Sequence, residues 1–143
     1  MISVLLVDPF EDSREAYATV LQSQGFRVHA TGNTDDAWEL VSHADVLVTG
    51  LQAPGRVDGL ELIRRLRGDP ATRTMPIVVL TASVYPSDEQ AARNAGCDVF
   101  LTKPCLPVDL ATEIRHAAMW RSGSKVVLKA KRDKRQPKPR RAV

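Results

Sequence analysis

Five short apolar segments alternate along the chain with five stretches of helical periodicity, and this alternation limits the possible folds. The apolar segments span residues 2–7, 26–30, 45–49, 76–81 and 97–101, each about as long as a typical β-strand. The stretches that follow them place apolar residues three and four positions apart, as one face of an α-helix does. Parallel strands need long crossovers, which helices supply. The pattern therefore predicts an α/β fold with helices on both faces of one parallel sheet.

The segments also indicate the order of the strands. Right-handed crossovers leave few ways to wind five strands, and the flavodoxin-like order 2-1-3-4-5 places the second and fifth at the edges. Residues 26–30 alternate apolar and polar side chains, as expected at an edge, whereas residues 76–81 are almost continuously apolar, as expected for a buried strand. We predict a single doubly wound five-stranded parallel sheet with the order 2-1-3-4-5.

Several residues mark the predicted helices. Asp12 and Glu15 form a capping-box pattern at the first helix, with Asp12 as the N-cap. Asn33 or Thr34 suits the N-cap of the second helix, and Asp58 suits that of the third. The predicted solvent face of the third helix holds Arg64, Arg65 and Arg67. The fourth helix begins at Pro86 and has only alanines on its apolar stripe, so we expect it to be lightly anchored.

Charge divides the chain near residue 120. Residues 121–143 contain ten basic residues and one acid, a net charge of +9, whereas the preceding residues carry −6. We predict a folded domain over residues 1–120 and a basic, disordered tail over residues 121–143, which is too polar to bury a core. Such a tail can bind nucleic acid without sequence preference. A solvated tail, or docking to an acidic partner or to the acidic body itself, is the favoured alternative.

The sequence gives little support for membrane, disulfide or metal binding. No apolar run is long enough to span a bilayer, and no basic residue precedes the first apolar run, unlike in a signal peptide. We therefore expect a cytoplasmic protein without membrane contacts. Cys97 and Cys105 lack the CxxC spacing and are predicted to be free thiols. His29, His43 and His116 lie on different predicted elements, so surface or capping roles are expected for them.

Ligand sites of doubly wound sheets lie beyond the carboxyl ends of the strands. The residues at these ends are Asp8 and Pro9 after the first strand, Gly50 after the third, Thr81 on the fourth and Lys103 past the fifth. Together they offer a carboxylate, a hydroxyl and an ammonium group. No glycine-rich phosphate loop follows the first strand, and no nucleophile–base pair is apparent, so a nucleotide-binding enzyme is not expected.

Four segments on these elements resemble the receiver domain of bacterial response regulators. They read VLLVD at 4–8, PG at 54–55 followed by DGLEL at 58–62, LTA at 80–82 and FLTKP at 100–104. Each segment alone is a weak signal, but their order and spacing match from Met1 to about Trp120. The resemblance implies the doubly wound fold and a role in two-component or phosphorelay signalling.

The resemblance also implies a role for each residue at the strand ends. Asp8 matches the first acid of the family's acidic pair, and Thr81 matches its strand-four hydroxyl. Phe100 matches its aromatic switch, and Lys103 matches its phosphate-binding lysine. Pro9 stands in place of the second acid, and Gly50 in place of the phospho-acceptor aspartate. Phe100 is in addition expected to lie near the surface.

These departures predict a domain without phosphoryl chemistry. Glycine has no side chain that could attack a phosphoryl group, and Thr49 should point to the opposite side of the strand. Mg²⁺ prefers several oxygen ligands, so Asp8 alone should hold it weakly or not at all. We expect no catalytic residue, no enzyme activity and no cofactor. Asp8 and Lys103 either pair directly or face a partly solvated pocket, and the sequence leaves both open.

The leading functional hypothesis is a stand-alone, phosphorylation-independent protein-binding module. A protein partner would bind the family's output face of helix four, strand five and helix five, from about Pro86 to Trp120. One alternative is nucleic-acid binding by the basic tail, and another is a conventional phosphorelay receiver with a substitute acceptor. Homodimerisation, the upstream kinase and the downstream partner are left open.

Overall fold

The computed structural model describes residues 1–121, the last two by their backbone alone. In this range the strands are β1 (Ser3–Val7), β2 (Arg27–Thr31), β3 (Val46–Thr49), β4 (Ile77–Thr81) and β5 (Val99–Thr102). The helices are α1 (Glu11–Ser23), α2 (Thr34–Leu40), α3 (Gly59–Gly68), α4 (Pro86–Ala95) and α5 (Pro107–Arg121), and a 3-10 turn (Val41–His43) follows α2. Every predicted element is present, with ends shifted by one or two residues.

The strands form one parallel sheet in the order β2-β1-β3-β4-β5, which confirms the predicted topology. Each residue of β1, β3 and β4 is buried, whereas most of the edge strand β2 is partly or fully exposed. The alternating pattern of the second apolar segment and the continuous pattern of the fourth therefore predicted the two environments correctly.

Each face of the sheet carries its own hydrophobic layer. Leu5 and Ile77 belong to the layer that packs against α2, α3 and α4. Their neighbours Val4 and Val78 belong to the layer that packs against α1 and α5. Successive residues of a strand point to opposite faces, which produces this division. Each helix starts at the carboxyl edge of the sheet and returns to the amino edge, so the first turns of the helices lie near the strand ends.

The predicted N-cap of the first helix is wrong. Phe10 occupies the N-cap position of α1 and contributes no side-chain cap, and Asp12 already lies in the first turn. The Asp8 carboxylate instead accepts a hydrogen bond from the backbone N–H of Phe10 at 3.0 Å, which turns the chain from β1 into the helix. The acid that orders this turn, Asp8, lies two residues before the N-cap at the end of β1, where the capping-box pattern does not look for it.

The caps predicted for the second and third helices are confirmed. Asn33 accepts from the backbone N–H of Asp36, and Asp58 accepts from that of Glu61, both at 2.8 Å. The alanine stripe of α4 is also confirmed, since Ala92 and Ala95 are buried in the core layer.

Arg67 does not lie on the solvent face of α3 as predicted. Its guanidinium donates to the backbone carbonyls of Gly96 at 2.9 Å, Arg73 at 2.8 Å and Met75 at 2.6 Å, and it pairs with Asp98 at 3.0 Å. Asp98 also accepts from the backbone N–H of Ile77 at 2.9 Å. Arg67 thus joins the end of α3 to the segments that enter β4 and β5. Helical spacing could not reveal this role, because the partners are distant in sequence.

We expect Arg67→Ala to destabilise the fold by about 2 kcal/mol, because three backbone carbonyls and the partly buried Asp98 carboxylate lose a charged donor. Arg65→Ala is the matched control: Arg65 lies on the same helix and its exposed side chain pairs only with Glu61 in the described structure. That change should cost less than about 0.5 kcal/mol. Urea unfolding of both variants measures the difference. Equal losses in the free energy of unfolding would show that the contacts of Arg67 with the segments before β4 and β5 do not stabilise the fold.

Candidate functional site at the carboxyl edge of the sheet

A cleft of about 330 Å³ opens at the carboxyl edge, over the ends of β1, β3 and β4. The strand register aligns Val7 with Thr49 and Thr49 with Val79, so Asp8 and Gly50 lie side by side and β4 extends two residues further, to Thr81. All of the residues predicted to form the pocket line this cleft: Asp8, Pro9, Gly50, Thr81 and Lys103. The structure therefore brings together the whole set that the sequence placed at the strand ends.

Asp8 and Lys103 pair directly, which confirms the first of the two alternatives left open by the sequence. The Lys103 Nζ lies 2.9 Å from Asp8 Oδ2, and it also donates to the Ser13 hydroxyl at 2.9 Å. Ser13 in turn donates to Asp8 Oδ2 at 2.8 Å. The pair is well shielded, since the Asp8 side chain is 5% exposed and that of Lys103 is 19% exposed. Ser13 was missed by the sequence interpretation, which considered only strand ends.

Two aromatic rings surround the Lys103 ammonium group. Its nitrogen lies 5.4 Å from the ring centre of Phe10 and 5.9 Å from that of Tyr17, which are cation–π distances. The Tyr17 hydroxyl donates to the Cys105 carbonyl at 2.6 Å, which ties α1 to the loop after β5. Burial raises the pKa of Tyr17 above its usual value, and the ionised form of the Cys105 thiol and the Asp8 carboxylate act in the same direction. Tyr17 therefore remains a neutral donor beside the ion pair.

Gly50 leaves open space at the centre of the cleft. A Cβ atom built on Gly50 would meet only the Leu80 carbonyl oxygen, at an ordinary contact distance of 3.6 Å. The backbone on its other side is tightly packed, because a Cβ atom on Gly59 would overlap the Gly50 carbonyl oxygen. The position would thus accept a side chain pointing into the cleft, although the carbonyl group is held in place by α3.

The loop between β4 and α4 forms the far wall of the cleft. Thr81 Oγ1 accepts from the backbone N–H of Ser83 at 3.2 Å, and the Ser83 hydroxyl donates to the Asp88 carboxylate in a short hydrogen bond. Tyr85, which is 68% exposed, stands on the rim. Sequence reasoning identified Thr81 but missed Ser83 and Asp88, because no periodicity or motif links a loop serine to an acid five residues later.

Two further predictions concern residues beside the cleft. Phe100 is buried, with 5% exposure, and packs in the core layer with the α4 alanines, so the expectation of a near-surface position is wrong. Although β5 is an edge strand, this face of it is covered by α4. Thr49 is fully buried and does not line the cleft; its hydroxyl donates to the Gly50 carbonyl at 2.9 Å. Its predicted orientation away from the site is confirmed.

The described residues contain neither a cluster of three or more metal-binding side chains nor a helix long and apolar enough to cross a membrane. The rings of His29 and His43 do approach each other, with centres 6.2 Å apart, although they belong to different elements. The basic tail was predicted over residues 121–143, and the first of these, Arg121, is the last residue of α5. The predictions for the rest of the tail, including nucleic-acid binding, lie outside the described residues.

A doubly wound sheet with an acid, a hydroxyl and a lysine converging at its carboxyl edge defines a receiver-like domain. Comparison with known families agrees, since the response regulator receiver domain matches residues 4–115. The chain belongs to this family and is a receiver domain of two-component signalling.

Individual relatives support the same assignment. Response regulator Rre1 of Synechocystis is 33% identical over 118 residues, which are 80% of this chain and 51% of that protein, so the chain spans about half of its length. An uncharacterized 14.6 kDa protein of Leptolyngbya boryana is 34% identical over 111 residues, which cover 76% of this chain and 84% of that protein. A putative response regulator from Chloroflexus aurantiacus superposes with a TM-score of 0.77 at 29% identity, covering 82% of this chain and 98% of that one.

The ion pair makes a testable contribution to stability. Lys103→Met would leave Asp8 buried without its counter-ion, although Ser13 and the Phe10 N–H still bind it, so we expect a loss of about 2 kcal/mol. Asp8→Asn combined with Lys103→Met should lower the free energy of unfolding clearly less than the two single changes added together. Neither new side chain is charged, so the double variant leaves no buried charge without a counter-ion. Chemical unfolding of the four proteins in this cycle gives the coupling energy. Strictly additive losses would argue against a direct pair.

Proposed function

We propose that this chain is a receiver domain that signals by binding a protein partner and does not accept a phosphoryl group. The observation that supports this proposal best is the ion pair between Lys103 and Asp8 beside Gly50. The resemblance to the family assigns Lys103 to phosphate binding and Asp8 to metal binding. Here the two groups neutralise each other, and the position assigned to the acceptor offers no carboxylate.

The hydroxyl groups around the cleft are poor replacements for the acceptor. Ser83 donates its hydroxyl proton to Asp88, and Thr81 accepts from the loop backbone. Thr49 is buried outside the cleft. A hydroxyl group is a weak nucleophile until a base removes its proton, whereas the family's acceptor is an already ionised carboxylate. We infer that the domain has no enzymatic activity of its own.

The oxygen atoms at the cleft do not suit Mg²⁺. Asp8 Oδ1 accepts from the backbone N–H of Phe10, and Oδ2 accepts from Lys103 and Ser13. A divalent cation would have to displace the ammonium group of Lys103, and only one other carboxylate, that of Asp88, lines the cleft. Mg²⁺ strongly favours octahedral oxygen coordination, so we propose that the domain works without a metal cofactor.

The proposed partner surface is the face formed by α4, β5 and α5, residues 86–120. Its apolar side chains Leu106, Val108 and Met119 are 64%, 48% and 48% exposed. The core contacts of α4 come from small side chains, Ala92 and Ala95, so this helix can shift at low energetic cost. Exposed apolar residues beside a helix that can move favour a protein-binding surface. We place this interaction in the cytoplasm.

Incubation with acetyl phosphate and Mg²⁺ tests the proposal. We expect no gain in intact mass, and no change in tryptophan fluorescence on addition of Mg²⁺ alone. A stoichiometric phosphate adduct would overturn the proposal. Fragmentation of such an adduct would then identify the modified residue and establish a conventional receiver with a substitute acceptor.

A further inference from the structure

A second cavity, of about 390 Å³, opens at the amino edge of the sheet, away from the cleft. It lies between the 3-10 turn after α2 and the segment that joins α3 to β4. Its apolar walls are formed by Trp38, Val41, Ala44, Leu66 and Met75, and Asp69 stands at its polar side. We call this cavity the Trp38 groove.

The Trp38 groove leaves a large aromatic side chain in contact with water. Trp38 is 42% exposed, although the groove floor contains the buried residues Leu66 and Met75. Residues 1–121 supply no cover for it. An apolar groove of this size beside an exposed tryptophan is typical of a surface that another segment occupies.

We propose that Val126, Val127 and Leu128 of the same chain occupy the Trp38 groove. These residues form the one run of three apolar side chains after α5 in the sequence. Apart from Gly123 and Ala130, the residues within four positions on either side are polar or basic, so these three side chains are the segment's main apolar surface.

The length of the chain after α5 matches this position. Val41 and Ala44 precede β3 and Met75 precedes β4, so the groove opens at the amino edge, where α5 also ends. The groove and α5 lie on opposite faces of the sheet, and two layers packed against a sheet are roughly 20 Å apart. An extended chain advances about 3.3 Å per residue, so positions five to seven residues past Arg121 reach roughly 16–23 Å. Those positions are 126–128.

Charge favours the same arrangement. Lys125 and Lys129 flank the apolar run, and the Asp69 carboxylate lies on the groove wall, where it accepts from the Ala71 N–H at 2.9 Å. The whole body before residue 121 carries a net charge of −6 against +9 for the remainder. Docking in the same chain also benefits from a high effective concentration, which a short linker provides.

Fluorescence quenching of the full-length chain tests this proposal. In a Trp120→Phe background, tryptophan emission reports Trp38 alone. A docked segment shields the indole, so Val127→Asp should raise the acrylamide quenching constant roughly twofold. Ala142→Asp, which adds the same charge outside the apolar run, should leave the constant unchanged.

Each outcome of this comparison decides the proposal. Equal quenching in all three proteins would overturn it. An effect of Val127→Asp that disappears on dilution would mean that the segment of a second copy fills the groove, which also overturns docking in the same chain. As an independent measure, Thr72→Cys with Val127→Cys in a Cys105→Ala background should form an intramolecular disulfide at least ten times faster than Thr72→Cys with Ala142→Cys. Equal rates would again contradict the proposal.

Discussion

Replacing Pro9 and Gly50 together with aspartate should convert a domain that takes up no phosphate into one that does. Gly50 lines the cleft, and a Cβ atom there meets only the Leu80 carbonyl oxygen, so a side chain can begin at this position without moving the backbone. Asp8, Thr81 and Lys103 already line the same cleft. The fold therefore retains the surroundings of an acceptor, and only two carboxylates are missing.

Both substitutions are needed, because a nucleophile and a metal site are separate requirements. Gly50→Asp alone adds a nucleophile, but the acid beside it, Asp8, is still neutralised by Lys103. With Pro9→Asp the cleft gains two carboxylates beside Asp8, in addition to Asp88 on its far wall, which is the kind of oxygen-rich site that Mg²⁺ prefers. We expect the double variant to gain one phosphate in intact mass after incubation with acetyl phosphate and Mg²⁺, and the wild-type chain and both single variants to gain little or none.

The thermal stability of the double variant gives an independent readout. Three carboxylates close to a single lysine repel one another, so the variant should melt below the wild type in the absence of metal. Mg²⁺ should restore the melting temperature of the variant and leave that of the wild type unchanged, because only the variant binds it. Pro9→Asn with Gly50→Asn is the matched control for side-chain volume without charge. A double aspartate variant that folds, binds Mg²⁺ and still takes no phosphate would show that more than these two residues separates this domain from an acceptor.

The sequence predicted the fold well because local patterns determine it. A continuous apolar run identified the buried strand β4, and alternation identified the exposed edge strand β2. Asn33 and Asp58 capped their helices as expected. Such signals depend on neighbours a few residues apart. The cap assigned to Asp12 failed because Asp8, at a strand end, competes for the same turn.

The candidate site was predictable in its backbone positions but not in its contacts. Topology brings the carboxyl ends of adjacent strands together, so Asp8, Gly50 and Lys103 had to meet. Whether Lys103 reaches Asp8 depends on side-chain conformation and on Ser13, which lies on a helix. Arg67 was misplaced for a related reason: its partner Asp98 lies 31 residues away, and helical periodicity describes only its own helix.

Gly59→Ala should be among the most damaging single changes in this domain, although alanine is normally the better helix residue. A Cβ atom at position 59 would overlap the carbonyl oxygen of Gly50, and that oxygen belongs to the backbone, so it cannot turn aside as a side chain would. The Gly50 carbonyl also accepts from the buried Thr49 hydroxyl. Either α3 or the end of β3 must move, and we expect a loss of about 3 kcal/mol or more in the free energy of unfolding. For a domain of this size this corresponds to a fall of about 10 °C or more in melting temperature.

Gly68→Ala is the matched control, because Gly68 is the last residue of the same helix and a Cβ atom there has no neighbour within 4 Å. This change should be neutral or stabilise the domain by up to about 1 kcal/mol, since it reduces the freedom of the unfolded chain. Opposite effects of one chemical substitution at the two ends of α3 would locate the cost of Gly59→Ala in its contact with Gly50. Equal small effects would mean that the start of α3 does not pack tightly against the Gly50 carbonyl. The backbone of Gly50 would then not be held in the position that a restored acceptor requires.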